Sequence, residues 1–382
     1  MRQKPTDDFL PIVLFLTDGL ATVGVRDEVA IRTAAMKANS HKRRIFTFGV
    51  GYDVNAPLLT HLARNSRAAS TFVLPNEDVE AKVSQVYRRL FGPVLDGPSL
   101  AAVDAAGEPV TRRVADLMPR KMPDLFEGDQ LVVLGKYRGD HPLHFRLRGR
   151  ARGKRRTFKL DFKLDKSTTK NSFIPRLWAS RKIAMLIDEI RQAQAAAGAG
   201  PSVIAAKAAT DPATKELVDE IVRLSTEFGI LTEYTAFLAK EGTDLSRRDH
   251  ILSEANENLI SRSRDRRGIA AVNQGFNDNF QQTQLRENRR NYFLDRNMNR
   301  VQISRVQQVN DRAFFQRGRR WIDGNAINSK AGAKPDEVVK IGSPEFMKLL
   351  DTLLAQNRQG TLAMDGEVLL RVGDRNILIK GN

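Results

Sequence analysis

The chain has 382 residues, with 62 Lys and Arg against 45 Asp and Glu, a net charge of +17, and no cysteine. The absence of cysteine excludes disulfides, thiolate metal sites and cysteine catalysis, and no apolar run is long enough to cross a bilayer. The length predicts two or three domains, and 41% hydrophobic residues suffice for their cores. The compartment is left open: an extracytoplasmic location would require a longer native N-terminus that carries a signal.

Residues 11–91 alternate between strand-like and helix-like segments. Uninterrupted apolar runs predict buried strands at Pro11–Leu16, Ile45–Gly51 and Thr71–Leu74. Helices are predicted at Asp27–Asn39, after the capping residue Asn55, and at Asp78–Phe91. This βαβαβα order predicts an α/β domain with a parallel, Rossmann-like sheet. A dinucleotide-binding domain is the rival, but no Gly-x-Gly-x-x-Gly follows a strand.

Beyond Pro93 the pattern changes to strands and turns, which predicts an antiparallel β-module. The strands are predicted at Leu131–Leu134, Phe145–Arg148 and Thr157–Leu164. In the last of these, apolar and polar residues alternate, which is typical of a half-buried strand with one wet face. Residues 136–163 hold eleven basic residues against two acidic ones, so that wet face is basic.

A helical region follows the β-module. The helices are predicted at Trp178–Ile190 and from Pro212, capped by Asp211, to the C′ residue Gly229. Ile230–Leu238 is predicted to be extended. Residues 242–330 are rich in Arg, Asn and Gln, which predicts a partly disordered basic tail beyond a helix at Leu252–Arg266. A final helix at Pro344–Gln356 and a hairpin at Glu367–Lys380 complete the chain.

These patterns predict five segments. They are 1–93 as part of an α/β domain, 94–168 as the β-module, 169–241 as the helical region, 242–330 as the loosely ordered segment, and 331–382 as a small α+β element.

The strand that ends in Thr17-Asp18-Gly19 resembles the fourth strand of a von Willebrand factor A (VWA) domain. Four further stretches are similar to inter-alpha-trypsin inhibitor heavy chains and to bacterial proteins with a VIT domain before the VWA domain. They are 122–129, 135–138, 173–179 and 224–238. The resemblance covers most of residues 9–240 in the family's order. It implies that the chain lacks the VIT domain and begins within the VWA domain.

In that family an aspartate at the position of Asp18 belongs to a metal-ion-dependent adhesion site. The resemblance therefore implies Asp18 as the remnant of such a site. The Asp-x-Ser-x-Ser loop that supplies most of its ligands is missing, so binding of Mg²⁺ or Ca²⁺ is expected only in a full-length form. The structural alternative is that Asp18 caps the following turn.

The resemblance implies a non-catalytic adhesion or scaffolding protein that binds a protein or polysaccharide partner, and no motif of an enzyme is found. The alternative is polyanion binding by the basic residues 286–320, with Tyr292, Phe293 and Trp321 available for stacking; nucleic acid is the less favoured polyanion. The alternative to any binding role is that these basic residues form a solvated surface. The arginines proposed to bind a polyanion are Arg286, Arg289, Arg290, Arg317, Arg319 and Arg320.

Overall fold

The computed structural model describes residues 10–89, 93–110, 112–164, 171–196, 211–330 and 332–381. The chain divides into two compact units. The first lies within Met1–Ser167 and Asp265–Phe276, and the second lies within Thr168–Arg264 and Asn277–Asn382. None of the helices in the described ranges is both long enough and apolar enough to span a membrane.

The first unit begins with the predicted α/β layer. Its strands are β1 (Ile12–Thr17), β2 (Arg44–Val50) and β3 (Ser70–Val73), and its helices are α1 (Glu28–Ala38), α2 (Ala56–Asn65) and α3 (Val79–Arg89). The strands pair in parallel in the order β1-β2-β3. The side chain of Asn55 accepts a hydrogen bond from the Leu58 amide at 3.0 Å, which confirms the predicted cap of α2. The α/β prediction is therefore confirmed.

Strand β1 differs from the prediction in its burial. Six of the seven residues of β2 are buried, but Leu14, Phe15 and Leu16 of β1 are 40%, 42% and 47% exposed. Among the described residues β1 pairs only with β2, so it lies at the edge of the sheet. A continuous apolar run predicts a strand that is covered on both faces, and here the strand is present without its cover.

The β-module completes the first unit. Its strands are β4 (Pro93–Val103), β5 (Val114–Met118), β6 (Leu125–Phe126), β7 (Leu134–Tyr137), β8 (Leu143–Ala151) and β9 (Lys154–Phe162). They form a four-stranded antiparallel sheet in the order β6-β4-β8-β9 and a separate β5-β7 pair. The strand predicted at Leu131–Leu134 begins only at Leu134, because the apolar run before it continues the loop that follows β6.

A buried ion-pair network joins β2 to this module within the first unit. The guanidinium of Arg44 binds the carboxylates of both Asp96 and Asp124, and Asp96 also accepts from Arg150 Nη2 at 2.6 Å. Asp124 further accepts from the Gly97 amide at 2.8 Å. Asp124 belongs to the stretch 122–129 that resembles the heavy chains. In this structure the residue has a structural role, because it binds Arg44 and the Gly97 amide.

The second unit contains a helical layer of α4 (Phe173–Ala196), α5 (Pro212–Phe228) and α6 (Arg248–Ser263). Asp211 accepts a hydrogen bond from the Thr214 amide at 3.2 Å, and Gly229 adopts a left-handed conformation, so both predicted ends of α5 are confirmed. The segment predicted to be extended instead forms turns and a 3₁₀-helix at Ala236–Ala239. Its threonines bond locally: the Thr232 amide donates to Thr235 Oγ1 at 3.1 Å, which favours a turn over a strand.

Residues 242–330 are ordered in regular elements, which corrects the prediction of a loosely ordered tail. Besides α6, they contain α7 (Ile269–Thr283), β10 (Phe293–Leu294), β11 (Arg300–Val301), β12 (Val306–Val309), β13 (Arg312–Arg317), β14 (Arg320–Asp323) and α8 (Gly324–Ile327). The polar side chains that indicated disorder serve as structural hydrogen-bonding groups. Asn277, for example, donates to the Leu294 carbonyl and accepts from the Leu294 amide at 2.9 and 2.8 Å.

The C-terminal elements are β15 (Glu337–Lys340), α9 (Pro344–Ala355), β16 (Glu367–Val372) and β17 (Arg375–Lys380). The β16-β17 hairpin is as predicted. It forms part of a six-stranded sheet in the order β12-β13-β14-β16-β17-β15, which takes strands from both sides of the predicted boundary at 330. Phe314, Leu353 and Leu370 lie at the centre of its core. The other boundaries of the five-segment division stay predictions.

Candidate functional site

The turn after β1 carries Asp18, the one residue predicted to bind a metal. Its side chain is exposed. The turn is closed by Thr17 instead: Thr17 Oγ1 donates to the Gly19 carbonyl at 3.0 Å and accepts from the Gly19 amide at 3.3 Å. The capping role proposed as the alternative for Asp18 is therefore performed by Thr17.

A second carboxylate, that of Glu28, lies at the start of α1 and was not singled out from the sequence. It is buried and accepts from Arg266 Nε at 3.0 Å, from Arg266 Nη2 at 2.5 Å and from Asn55 Nδ2 at 3.2 Å. Both of its oxygens are thus engaged by cationic or amide donors. The acidic first turn of α1 was visible in the sequence, but its partner lies 238 residues away along the chain.

These residues do not fit a divalent cation. Mg²⁺ and Ca²⁺ need about six or more oxygen ligands, several of them from protein side chains. Asp18 offers one carboxylate, and the Glu28 carboxylate already neutralises an arginine. Across the described ranges, no three His, Cys, Asp or Glu side chains are grouped so that they could hold a metal ion. Asp18 as a metal ligand stays a prediction for a longer form of the protein.

Strand β1 has large apolar side chains exposed at the edge of its sheet. We define the β1 edge as Leu14, Phe15 and Leu16. Successive residues of a strand point to opposite faces, so these three side chains leave apolar surface exposed on both faces of the sheet. No residue of β1 is charged or proline. Within the described ranges the outer backbone groups of β1 have no partner strand, and an edge without protecting charge is open to pairing with another strand.

The six arginines proposed to bind a polyanion are divided by the structure. Arg286, Arg290 and Arg319 are exposed, and no ion pair of theirs is found within the described part of the chain. The other three have specific partners. Arg289 pairs with Glu287, Arg320 pairs with Glu367 at 2.6 Å, and Arg317 Nη2 donates to the Leu238 carbonyl at 2.7 Å.

Two of the three aromatic side chains proposed for stacking are not available for it. Phe293 and Trp321 are buried, and Trp321 Nε1 donates to the Asp365 carbonyl at 3.1 Å. The ring of Tyr292 is covered by the guanidinium of Arg300, whose central carbon lies 4.1 Å from the ring centroid. Stacking is therefore wrong for Phe293 and Trp321, because these rings are buried within the second unit, and for the half-buried Tyr292 it stays a prediction.

A buried acid in the second unit escaped the sequence analysis. Glu233 is only 5% exposed, and burial raises the pKa of its carboxyl group to about 7, although a hydrogen bond with Asn277 and the charges of Arg262 and Arg191 oppose the shift. The next residue, Tyr234, is buried too, and burial also raises its pKa. The available signal was a single acidic residue between the apolar pairs Ile230-Leu231 and Phe237-Leu238.

No protein-family model matches the chain. It is 23% identical over 283 residues to human inter-alpha-trypsin inhibitor heavy chain H6, covering 69% of this chain and 20% of that protein. It is 24% identical over 191 residues to bovine heavy chain H4, covering 47% of this chain and 20% of that protein. The chain thus spans about a fifth of the length of these curated relatives.

Solved structures give weaker likenesses. A von Willebrand factor type A protein from Catenulispora acidiphila aligns with 14% identity and a TM-score of 0.34, covering 67% of this chain and 66% of that one. The VWA2 paralog of ArnB from Sulfolobus acidocaldarius aligns with 13% identity and a TM-score of 0.27, covering 64% and 62%. The likeness to the heavy chains is one of sequence.

Proposed function

Since this chain is a relative of the VWA-containing inter-alpha-trypsin inhibitor heavy chains, we propose that it is a non-catalytic adhesion or scaffolding protein that binds another protein. The observation that carries the proposal is the β1 edge, where Leu14, Phe15 and Leu16 are exposed on a strand without charge. A surface of this kind suits a protein partner, because main-chain hydrogen bonds and apolar side chains can both be satisfied by an added strand.

The partner would bind by β-augmentation. An extended apolar segment placed beside β1 would pair with its free backbone groups and cover both faces of the strand. Another edge strand of the first unit, β9, is less suited to this role, because it carries four basic residues between Lys154 and Lys159. Charged edges resist strand pairing and uncharged ones permit it. The β1 edge therefore suits a docking strand better than β9 does.

Divalent ions would not bridge this contact in the chain described. The carboxylates beside β1 lack the donor set that such an ion needs, so docking depends on strand pairing and apolar burial. Polyanion binding through Arg286, Arg290 and Arg319 stays a prediction from the sequence, without a structural observation in its favour. We therefore favour a protein partner over a polysaccharide or a nucleic acid.

A displayed random-peptide library tests the proposal. Peptides selected on the immobilised chain are measured by fluorescence anisotropy against the wild type, Phe15→Lys and a control, Leu354→Lys, which alters an exposed leucine of α9. We expect apolar, strand-forming peptides whose affinity falls about tenfold or more in Phe15→Lys, equivalent to at least about 1.4 kcal/mol, and is unchanged in Leu354→Lys. Circular dichroism establishes that both variants are folded.

Equal binding to the wild type and to Phe15→Lys would contradict docking at the β1 edge. Selection of acidic peptides, with affinity that collapses in salt, would instead favour the basic surface.

A further inference from the structure

The β8-β9 hairpin of the first unit has features that the proposed protein partner does not explain. All nine residues of β9 are exposed, although three of them are large and apolar: Phe158, Leu160 and Phe162, at 46%, 39% and 50%. The strand lies at the edge of its sheet. The sequence predicted this alternation with the apolar side covered. In the structure both sides of β9 face outward.

The two faces of the hairpin have opposite chemistry. Across the ladder, Leu147 lies opposite Phe158, Phe145 opposite Leu160 and Leu143 opposite Phe162, so one face is apolar. The alternate pairs are Arg146 with Lys159, Arg148 with Thr157 and Arg150 with Arg155, which make the other face basic. The rings of Phe145 and Phe162 touch edge-on, with centroids 5.9 Å apart.

The basic face has more positive charge than the fold can neutralise. Like charges directly opposite each other in a ladder are destabilising. Arg150 is balanced by Asp96, and Arg146 donates to the Gly107 carbonyl at 2.9 Å. Arg148, Arg155 and Lys159 are exposed and have no acidic partner within the described residues. External anions would neutralise these three cations.

The tip of the hairpin extends the positive charge to the apolar side. A two-residue turn at Arg152-Gly153, with φ of 48° and 73°, joins the strands and places Ala151 opposite Lys154. Because side chains alternate, Lys154 and Arg156 share the face of Phe158, Leu160 and Phe162. Exposed aromatic side chains and cations therefore occur together along one strand.

We propose that the β8-β9 hairpin binds an anionic lipid surface. Phe158, Leu160 and Phe162 enter the boundary between headgroups and acyl chains, while Lys154 and Arg156 on the same face contact lipid phosphates and carboxylates. This is the arrangement by which amphipathic elements lie in a membrane interface. A soluble polyanion would account for the cations but would leave three large apolar side chains uncovered. The lipid surface accounts for both.

The test is co-sedimentation with vesicles of phosphatidylcholine alone or with phosphatidylserine as the minority lipid. We compare the wild type with Lys154→Gln/Arg156→Gln, with Phe158→Ser/Phe162→Ser, and with a control of the same chemistry in α9, Lys348→Gln/Met347→Ser. We expect binding to the phosphatidylserine vesicles only, about tenfold weaker in each hairpin variant and unchanged in the control. Thermal melts establish that every variant is folded.

A second readout reports insertion directly. Trp178 and Trp321 are both buried, so a tryptophan introduced by Phe162→Trp supplies the environment-sensitive emission. We expect a blue shift when phosphatidylserine vesicles are added and none with a DNA duplex. The proposal is overturned if the wild type does not bind vesicles, or if only the charge variant loses binding. Unchanged emission with bound vesicles, or an equal shift with DNA, would also overturn it.

Discussion

Glu233 is the single acidic residue in a largely apolar stretch of the sequence, Ile230–Leu238. It lies in the core of the second unit, where burial raises the pKa of its carboxyl group from 4.5 to about 7. The cations Arg191 and Arg262 and the amide of Asn277 reduce this shift without removing it. The folded chain therefore holds this proton across a range of pH in which an unfolded glutamate has lost it.

The sign of the effect on stability follows from the protons bound in each state. Between about pH 4.5 and pH 7 the folded state binds more protons than the unfolded state at this site, so the free energy of unfolding falls as pH rises. The loss is complete above pH 7 and amounts to roughly 3 kcal/mol. We expect Glu233→Gln to remove this decline, which urea unfolding of wild type and variant at several pH values would measure.

The exposed acid Glu216 in α5 provides the control for that experiment. Its replacement by glutamine should leave the pH profile of the wild type unchanged. A stability difference between the wild type and Glu233→Gln that stays constant with pH would contradict the assignment, because an uncoupled substitution shifts the whole profile without changing its slope.

At the level of elements, the residue that ends α5, Gly229, is required by the backbone conformation and by a close contact. Gly229 has a φ of 60°, and its carbonyl accepts hydrogen bonds from Arg176 Nη2 at 3.1 Å and from Asn291 Nδ2 at 2.8 Å. A Cβ there would lie 2.7 Å from the Cβ of Ala313. The residue thus meets two requirements at once, a left-handed conformation and close approach to β13.

We expect Gly229→Ala to lower the free energy of unfolding by about 2 kcal/mol or more, from the left-handed conformation and from overpacking together. Gly373→Ala, in the β16-β17 turn, is the matched variant: its φ is 56°, but no atom lies within 4 Å of the added Cβ. It should cost only about 1 kcal/mol. Equal losses for the two variants in urea unfolding would show that the contact with β13 is unimportant.

The same elements show what the sequence could and could not predict. Caps and local periodicity identified α1, α2, α5 and the β16-β17 hairpin, because their signals lie within the segment itself. The signal of α7 does not: Gly275 allows close approach of the Phe72 ring, to 2.7 Å from an added Cβ, and Ala271 and Val272 pack with Val54 and Leu59. Those partners lie some 200 residues earlier in the chain, so the Asn/Gln-rich composition indicated disorder.

The candidate surfaces were predictable to different degrees for the same reason. The apolar β1 and the two-faced β9 were visible in the sequence, but their exposure depends on which strands pair beside them. Of the predicted basic arginines, Arg317 and Arg320 are held by Leu238 and Glu367 in the folded chain. Charge density along a sequence does not reveal which charges the fold will neutralise.

For the whole molecule, the relationship to VWA-containing proteins raises the question of divalent ions. Asp18 offers a single exposed carboxylate, and Arg266 occupies the oxygens of Glu28. We therefore expect that replacing EDTA by Mg²⁺ or Ca²⁺ at millimolar concentration changes the melting temperature by no more than about 1 °C. An ion present at about 100 times its Kd would add about 2.7 kcal/mol and raise the melting temperature by several degrees.

The variant Asp18→Asn decides how a positive result would be understood. A stabilisation by Mg²⁺ or Ca²⁺ that disappears in Asp18→Asn would place a working ion site after β1, and docking at the β1 edge would then have to be reconsidered as ion-dependent. A stabilisation that persists in Asp18→Asn would arise elsewhere on the chain. With no stabilisation, the proposed strand pairing at the β1 edge would need no ion, since backbone hydrogen bonds and apolar contacts are independent of any carboxylate.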